Sequence, residues 1–123
     1  NLYITTVGRS VDDMIDYVYD TFSKMVTSDE ENPGTITEVK ELNAASGTAR
    51  YFTYAYSYQN DTETGGTETK YSQCLVCYVP ANVKSSCVLV SVNVYPDSAE
   101  GFLSEDALVA EAQKGIAVVS IDK

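Results

Sequence analysis

Between Ser10 and Val26 the apolar residues Val11, Met14, Ile15, Val18, Tyr19, Phe22, Met25 and Val26 recur at three- and four-residue spacing. On a helix this spacing lays one continuous apolar stripe, whereas a strand would scatter the same residues over both faces. Such a segment has to be laid against another apolar surface, and the rest of the chain must supply it. Ser10 suits the N-cap, and Asp12 and Asp13 suit the positive end of the helix dipole. The helix is expected to end before the polar run 28–34, where Asn32-Pro33-Gly34 signals a turn.

After Gly34 the period changes to one that favours strands. Residues 35–43 and 49–59 flank Ala45-Ser46-Gly47 and are read as a hairpin, although Ile36, Val39 and Leu42 also suit a short helix. The second arm carries Tyr51, Phe52, Tyr54, Tyr56 and Tyr58, residues that prefer a pleated surface. Residues 60–69 hold no apolar side chain, and Gly65-Gly66 permits a tight reversal, so an exposed mobile loop is expected there. Strands follow at 71–79 and 86–95, joined by residues 80–84. In the second of these, Val88, Val90, Val92 and Val94 alternate with Cys87, Leu89, Ser91 and Asn93, which leaves both faces partly apolar at its start and calls for cover on both sides. A linker with Pro96 and Gly101 leads to a second helix, capped by Ser104 and running through Glu105 to Lys114 at least. Gly115 leaves two readings of Ile116–Ile121, a continuation of that helix or a last strand. Leu2–Val7 reads as a strand at the amino end. Residues 1–123 are thus expected to form a single α+β domain, a mainly antiparallel sheet packed by a long N-terminal helix and a shorter C-terminal one.

Composition narrows the function classes. The chain has 18 acids against 8 bases, a formal charge of −10, which repels a phosphate backbone unless the bases gather on one face. Lys24, Lys40, Arg50, Lys70, Lys84, Lys114 and Lys123 are instead spread along the sequence, so no nucleic-acid partner is expected. There is no histidine, which removes His-based triads and zinc hydrolase sites. No apolar run approaches the ~20 residues that span a bilayer, so membrane contact is expected only through an anchor upstream. The first residue is Asn1 rather than Met, as expected of a processed or trimmed chain.

Three groups of residues invite a functional reading, and each has a plain structural one. Cys74 and Cys77 form a C-x-x-C, but in a strand residues three apart lie about 10 Å from each other, beyond disulfide reach. If the link is residues 80–84, Cys77 faces Cys87, and a bridge there would add about 2–3 kcal/mol and imply an oxidising compartment. The other reading is three buried free thiols acting as small hydrophobes, with Cys74 on the face of Val76, Val88 and Val90. Tyr54, Tyr56 and Tyr58 point to one side of their strand, as either a recognition platform or a half-buried sheet face under the helix. Asp61, Glu63 and Glu68 offer oxygen ligands for calcium, but their spacing departs from the EF-hand pattern and a solvated loop accounts for them. Asp12, Asp13, Asp16 and Asp20 are the acids available to a carboxylate-based hydrolase, or simply the wet face of the first helix. No catalytic, cofactor-binding or metal residue is assigned on this basis, and no cofactor is expected.

The first helix, the Gly47-Thr-Ala-Arg-Tyr-Phe-Thr-Tyr54 arm, the strands Cys74–Tyr78 and Val88–Val94, and the closing Ile116-Ala-Val-Val-Ser-Ile121 follow one another in an order that resembles a known family. It is similar to the PsbP-like, Mog-type α/β/α sandwich domain of Gram-positive lipoproteins. A cystatin-like fold, a helix cradled by four antiparallel strands, is the alternative for residues 10–95. The PsbP-like resemblance implies a non-catalytic binding or accessory domain outside the membrane, extracellular or at the cell surface, with a protein or cell-surface partner. A calcium-dependent module built on residues 60–69 and a small carboxylate hydrolase are the competing expectations.

Overall fold

The computed structural model describes residues 2–28, 34–44, 47–81 and 86–121. The elements are β1 (Leu2–Val7), α1 (Val11–Val26), β2 (Thr35–Ile36), β3 (Lys40–Ala44), β4 (Gly47–Asp61), β5 (Thr67–Pro80), β6 (Cys87–Val94), a 3-10 turn (Ala99–Gly101) and α2 (Glu105–Ile121). The strands make one sheet in the order β1-β6-β5-β4-β2, with β3 also on β4, and every pairing is antiparallel. The expected turns at Asn32-Pro33 and Ala45-Ser46 lie outside the described residues, as does most of the β5–β6 link.

The helices take opposite faces of the sheet. Helix α1 starts where Ser10 Oγ accepts the Asp13 N–H at 3.2 Å, and it packs on β2, β4 and β5. Its stripe buries Ile15 and Val26 against Phe52, Tyr54, Cys74, Val76, Tyr78 and Cys87. Helix α2 lies across the other face, where Leu108, Ala112 and Ile116 meet Leu75, Cys77, Val79, Val88, Val90 and Val92. Spacings of four residues put those three α2 side chains on one line, and the small Ala112 between the larger two lets the helix approach closely. The sheet is therefore covered on both sides at the start of β6, as its double-sided apolarity requires.

Two expectations are corrected, and one left open is decided. Helix α2 has 17 residues against 16 in α1, so the C-terminal helix is not the shorter one. It runs straight through Gly115, because a Cβ there would stand 2.8 Å from Val90 Cγ1; the glycine marks close helix–sheet contact and not a helix end. Half of the supposed mobile loop 60–69 is strand. Pairs continue through Gln59↔Thr69, Asn60↔Glu68 and Asp61↔Thr67, and only residues 62–66 turn. The turn is held by Thr62 N–H to Gly66 O at 2.9 Å and by Gly65 at φ +85°. Threonine-rich backbone pairs without apolar side chains to bury, which the hydropathy pattern could not reveal.

The linker into α2 is fixed by one side chain. Gln73, buried in β5, accepts the Leu103 N–H at 2.8 Å and donates to Leu103 O at 2.7 Å, so its amide acts as a short piece of strand. The next residue, Ser104, then caps α2 by accepting the Ala107 N–H at 3.2 Å.

Candidate functional site

The register of β5 on β6 decides the fate of the cysteines. Cys77 pairs with Val90 and Cys87 with Pro80, three residues away from the expected Cys77–Cys87 alignment. An odd displacement in a strand of period two turns a residue to the other face. Cys77 accordingly sits under α2 and Cys87 under α1, and all three cysteines are free and buried. Cys74 shares the α1 face with Val76 as expected, but Val88 and Val90 lie on the opposite face. Burial pushes the Cys74 thiol up to about 11, with a hydrogen bond to Tyr54 pulling the other way, and pushes Cys77 up to about 12; Cys87 is raised by the same cause. These groups stay protonated near neutrality and are poor nucleophiles.

The acids do not converge. Asp12, Asp13, Asp16 and Asp20 are exposed on α1. Asp12 pairs with Arg50 of β4 at 3.2 Å and Asp20 with Lys24 at 3.0 Å. On the β4–β5 hairpin Glu68 pairs with Lys70 at 3.2 Å. Among the described residues no three candidate ligands come together to hold a metal ion. The tyrosine row does run along one face: Tyr54, Tyr56 and Tyr58 are stepped at 6.0 Å between ring centroids and grade from buried through half-buried to exposed. Its inner end is core, with Tyr54 stacked on Phe22 at 4.9 Å.

What the sequence reading did not locate is a groove beside α1. A helix about 10 Å across covers about two strands spaced about 4.8 Å apart, so a single helix cannot cover this sheet. Helix α1 takes β4 and β5 and leaves β1 and the part of β6 beyond Cys87 open on that face. The result is an open groove of about 380 Å³. Its floor is Cys74, Val76, Tyr78, Leu89, Ser91 and Asn93, with Val18 and Phe22 as one wall and Tyr3 as the far lip. Among the described residues no charged side chain lines it. Burial raises Tyr54 far above the usual phenol range and Tyr78 to about 12, so both phenols are neutral at physiological pH.

On the flank of α1 above the groove the side chains nearest Val18 and Phe22 are uncharged as well. Met14, Thr21 and Met25 neighbour Val18 and Phe22 at helical spacing, and Tyr17 continues that side, 70% exposed. Asp12, Asp16 and Asp20 follow the opposite flank, toward Arg50. The signal was present in the sequence: the apolar stripe of α1, counted with Tyr17, is wider than one row of sheet contacts needs.

No family model, curated protein or solved structure matches this chain. Its chemistry is therefore judged from the arrangement itself.

A second polar cluster ties the far side of the sheet to α2. Glu105, the first residue of α2, accepts from Lys40 Nζ at 2.9 and 2.6 Å and from Tyr51 Oη at 3.1 Å. The Lys40 hydrogen bonds hold the Glu105 carboxyl below its usual value, and Glu105 in turn raises Lys40. Burial raises Tyr51. A carboxylate at the positive end of the helix is favoured further by the dipole. With the folded pKa of Glu105 depressed, its contribution is present above the ordinary glutamate value near ~4.3 and is lost as pH falls through the folded value. Lys40 works in the opposite sense, present below its unfolded value and lost as pH rises through the raised one. Melting curves of wild type and Glu105→Gln are thus expected to differ most near neutral pH, where Glu105 is ionised and Lys40 protonated, and to converge as pH falls through the folded value of Glu105. An equal gap at pH 3 and pH 7 would contradict this assignment.

Proposed function

We propose that this chain is a non-catalytic binding domain of an exported bacterial protein, extracellular or held at the cell surface, and that it takes a protein partner in the groove beside α1. The observation that carries the reading is the groove itself: mainly apolar, open, uncharged among the described residues that line it, and bounded by the exposed ring of Tyr3. Contiguous exposed apolar surface of this kind is characteristic of interaction sites, and aromatic side chains are enriched in them. A catalytic reading finds less support, since Tyr54, Cys74 and Tyr78 stay neutral and the described residues of the lining hold no acid–base pair. The three-layer order of helix, antiparallel sheet and helix is the arrangement that the PsbP-like resemblance implies, and the placement outside the membrane rests on that resemblance alone.

The test is retention on the immobilised domain. The wild type is expected to hold a protein from the surface fraction of its own cells. Val18→Asp, which sets a carboxylate on the groove wall, is expected to weaken that retention at least about tenfold with an unchanged CD spectrum. Stabilisation by more than about 5 °C from one small metabolite, with no protein retained, would overturn the reading in favour of a solute-binding domain.

A further inference from the structure

The two long sides of the sheet are finished in different ways. On the β2–β3 side the edge is short and charged: β2 has two residues, and β3 carries Lys40 and Glu41. These are the devices by which sheets avoid pairing with other chains. On the other side β1 has none of them. Its six residues, Leu-Tyr-Ile-Thr-Thr-Val, include no charge, proline or glycine. Its register with β6 runs unbroken from Leu2↔Val92 to Val7↔Cys87, so no bulge turns the edge away. Leu2, Tyr3 and Ile4 are 41%, 55% and 38% exposed.

The surroundings of β1 indicate what covers it. On one face it borders the uncharged groove. On the other, Leu2 and Ile4 lie against Gly115, and α2 from Ala112 to Ile121 contains no acid. In a chain of net charge −10, two copies repel through most of their surface, and β1 is a border where they can meet without opposing carboxylates. A basic partner would find its complementary charge on other parts of the surface.

We propose that β1 pairs antiparallel with β1 of a second copy of this chain, about a two-fold axis perpendicular to the sheet, so that the two sheets become one. Such an axis keeps each face on its own side, and residues of equal parity meet. Centred on Ile4, it sets Tyr3 against Thr5 and Leu2 against Thr6 of the second copy. Centred on Thr5, it sets Tyr3 against Val7 and Ile4 against Thr6. Both registers give aromatic and β-branched cross-strand pairs, which favour sheet association. A pair of six-residue strands is small, so the dimer belongs to the weak, concentration-dependent class. The two grooves would then lie side by side on one face.

Sedimentation equilibrium from about 1 μM to about 1 mM tests the pairing. The expected result is a mass that rises from one chain toward two, with a melting temperature that rises alongside it. Tyr3→Lys and Ile4→Lys are expected to weaken dimerisation about tenfold or more, while Tyr58→Lys, on the β4–β5 hairpin, leaves it unchanged. Amide exchange reads the same contact without any substitution: the β1 N–H groups that point away from β6 gain protection as the dimer forms. A single-chain mass over the whole range, a dimer insensitive to both β1 variants, or fast exchange of those amides in the dimer would each overturn the proposal.

Discussion

Phe52→Ala is expected to cost about 3–5 kcal/mol of folding stability, the range found when a large aromatic side chain is removed from a packed interior. Phe52 is fully buried at the centre of β4 under α1. Its ring meets Tyr19 edge-on at 5.1 Å, Phe22 at 6.2 Å and Tyr54 at 6.4 Å. Deleting it removes apolar burial and the aromatic contacts together, and the neighbours are anchored on two elements that cannot both move in to fill the space. Urea unfolding measures the loss directly. Tyr58→Ala, at the exposed end of the same face, is the control and should stay within about 0.5 kcal/mol of wild type. A loss below about 1 kcal/mol for Phe52→Ala would mean that α1 is not seated on β4 as described.

Gly34→Ala is the second large effect, expected at about 3 kcal/mol, although an alanine would lower the entropy of the unfolded chain. Gly34 marks the entry to β2, and its N–H donates to Val26 O at 2.8 Å, closing the end of α1. A Cβ at this position would meet Ala55 O at 2.6 Å and Tyr56 Cβ at 2.8 Å. Both belong to the adjoining strand and cannot swing aside as a side-chain tip could. The backbone has to shift, and the cost falls on the Val26 hydrogen bond and the β2–β4 pairing. Gly8→Ala offers the contrast, since nothing stands within 4 Å of its added Cβ. Comparable midpoints for the two variants in urea would refute the argument.

Much of the architecture was legible from local pattern. The α1 stripe, its Ser10 cap, the β1 strand, the hairpin around Gly47 and the Ser104 start of α2 are all read from spacing and capping chemistry, which depend on a few neighbouring residues. The candidate site was less legible. The groove exists because of what α1 leaves uncovered, and that is a relation between a helix width and the number of strands. Tyr3 and Val18 come from elements that pair with different strands, and no spacing along the chain connects them. The Glu105–Lys40–Tyr51 cluster joins residues more than fifty positions apart and had no local signature.

The sequence by itself determined α1, β1, the strand character of residues 49–59, 71–79 and 86–95 and the start of α2, because hydrophobic period, caps and residue preferences act over one or two turns. It also determined the acidic, histidine-free chemistry. Tertiary structure alone decided the β5–β6 register, since Cys74, Val76 and Tyr78 on one face of β5 are as apolar as Leu75, Cys77 and Val79 on the other. With both faces fit for burial, alternation cannot choose between alignments, and the choice falls to two helices packing on opposite sides of the sheet. That choice set Cys77 and Cys87 apart, carried α2 past Gly115 onto Val90, and left the uncharged groove open beside α1.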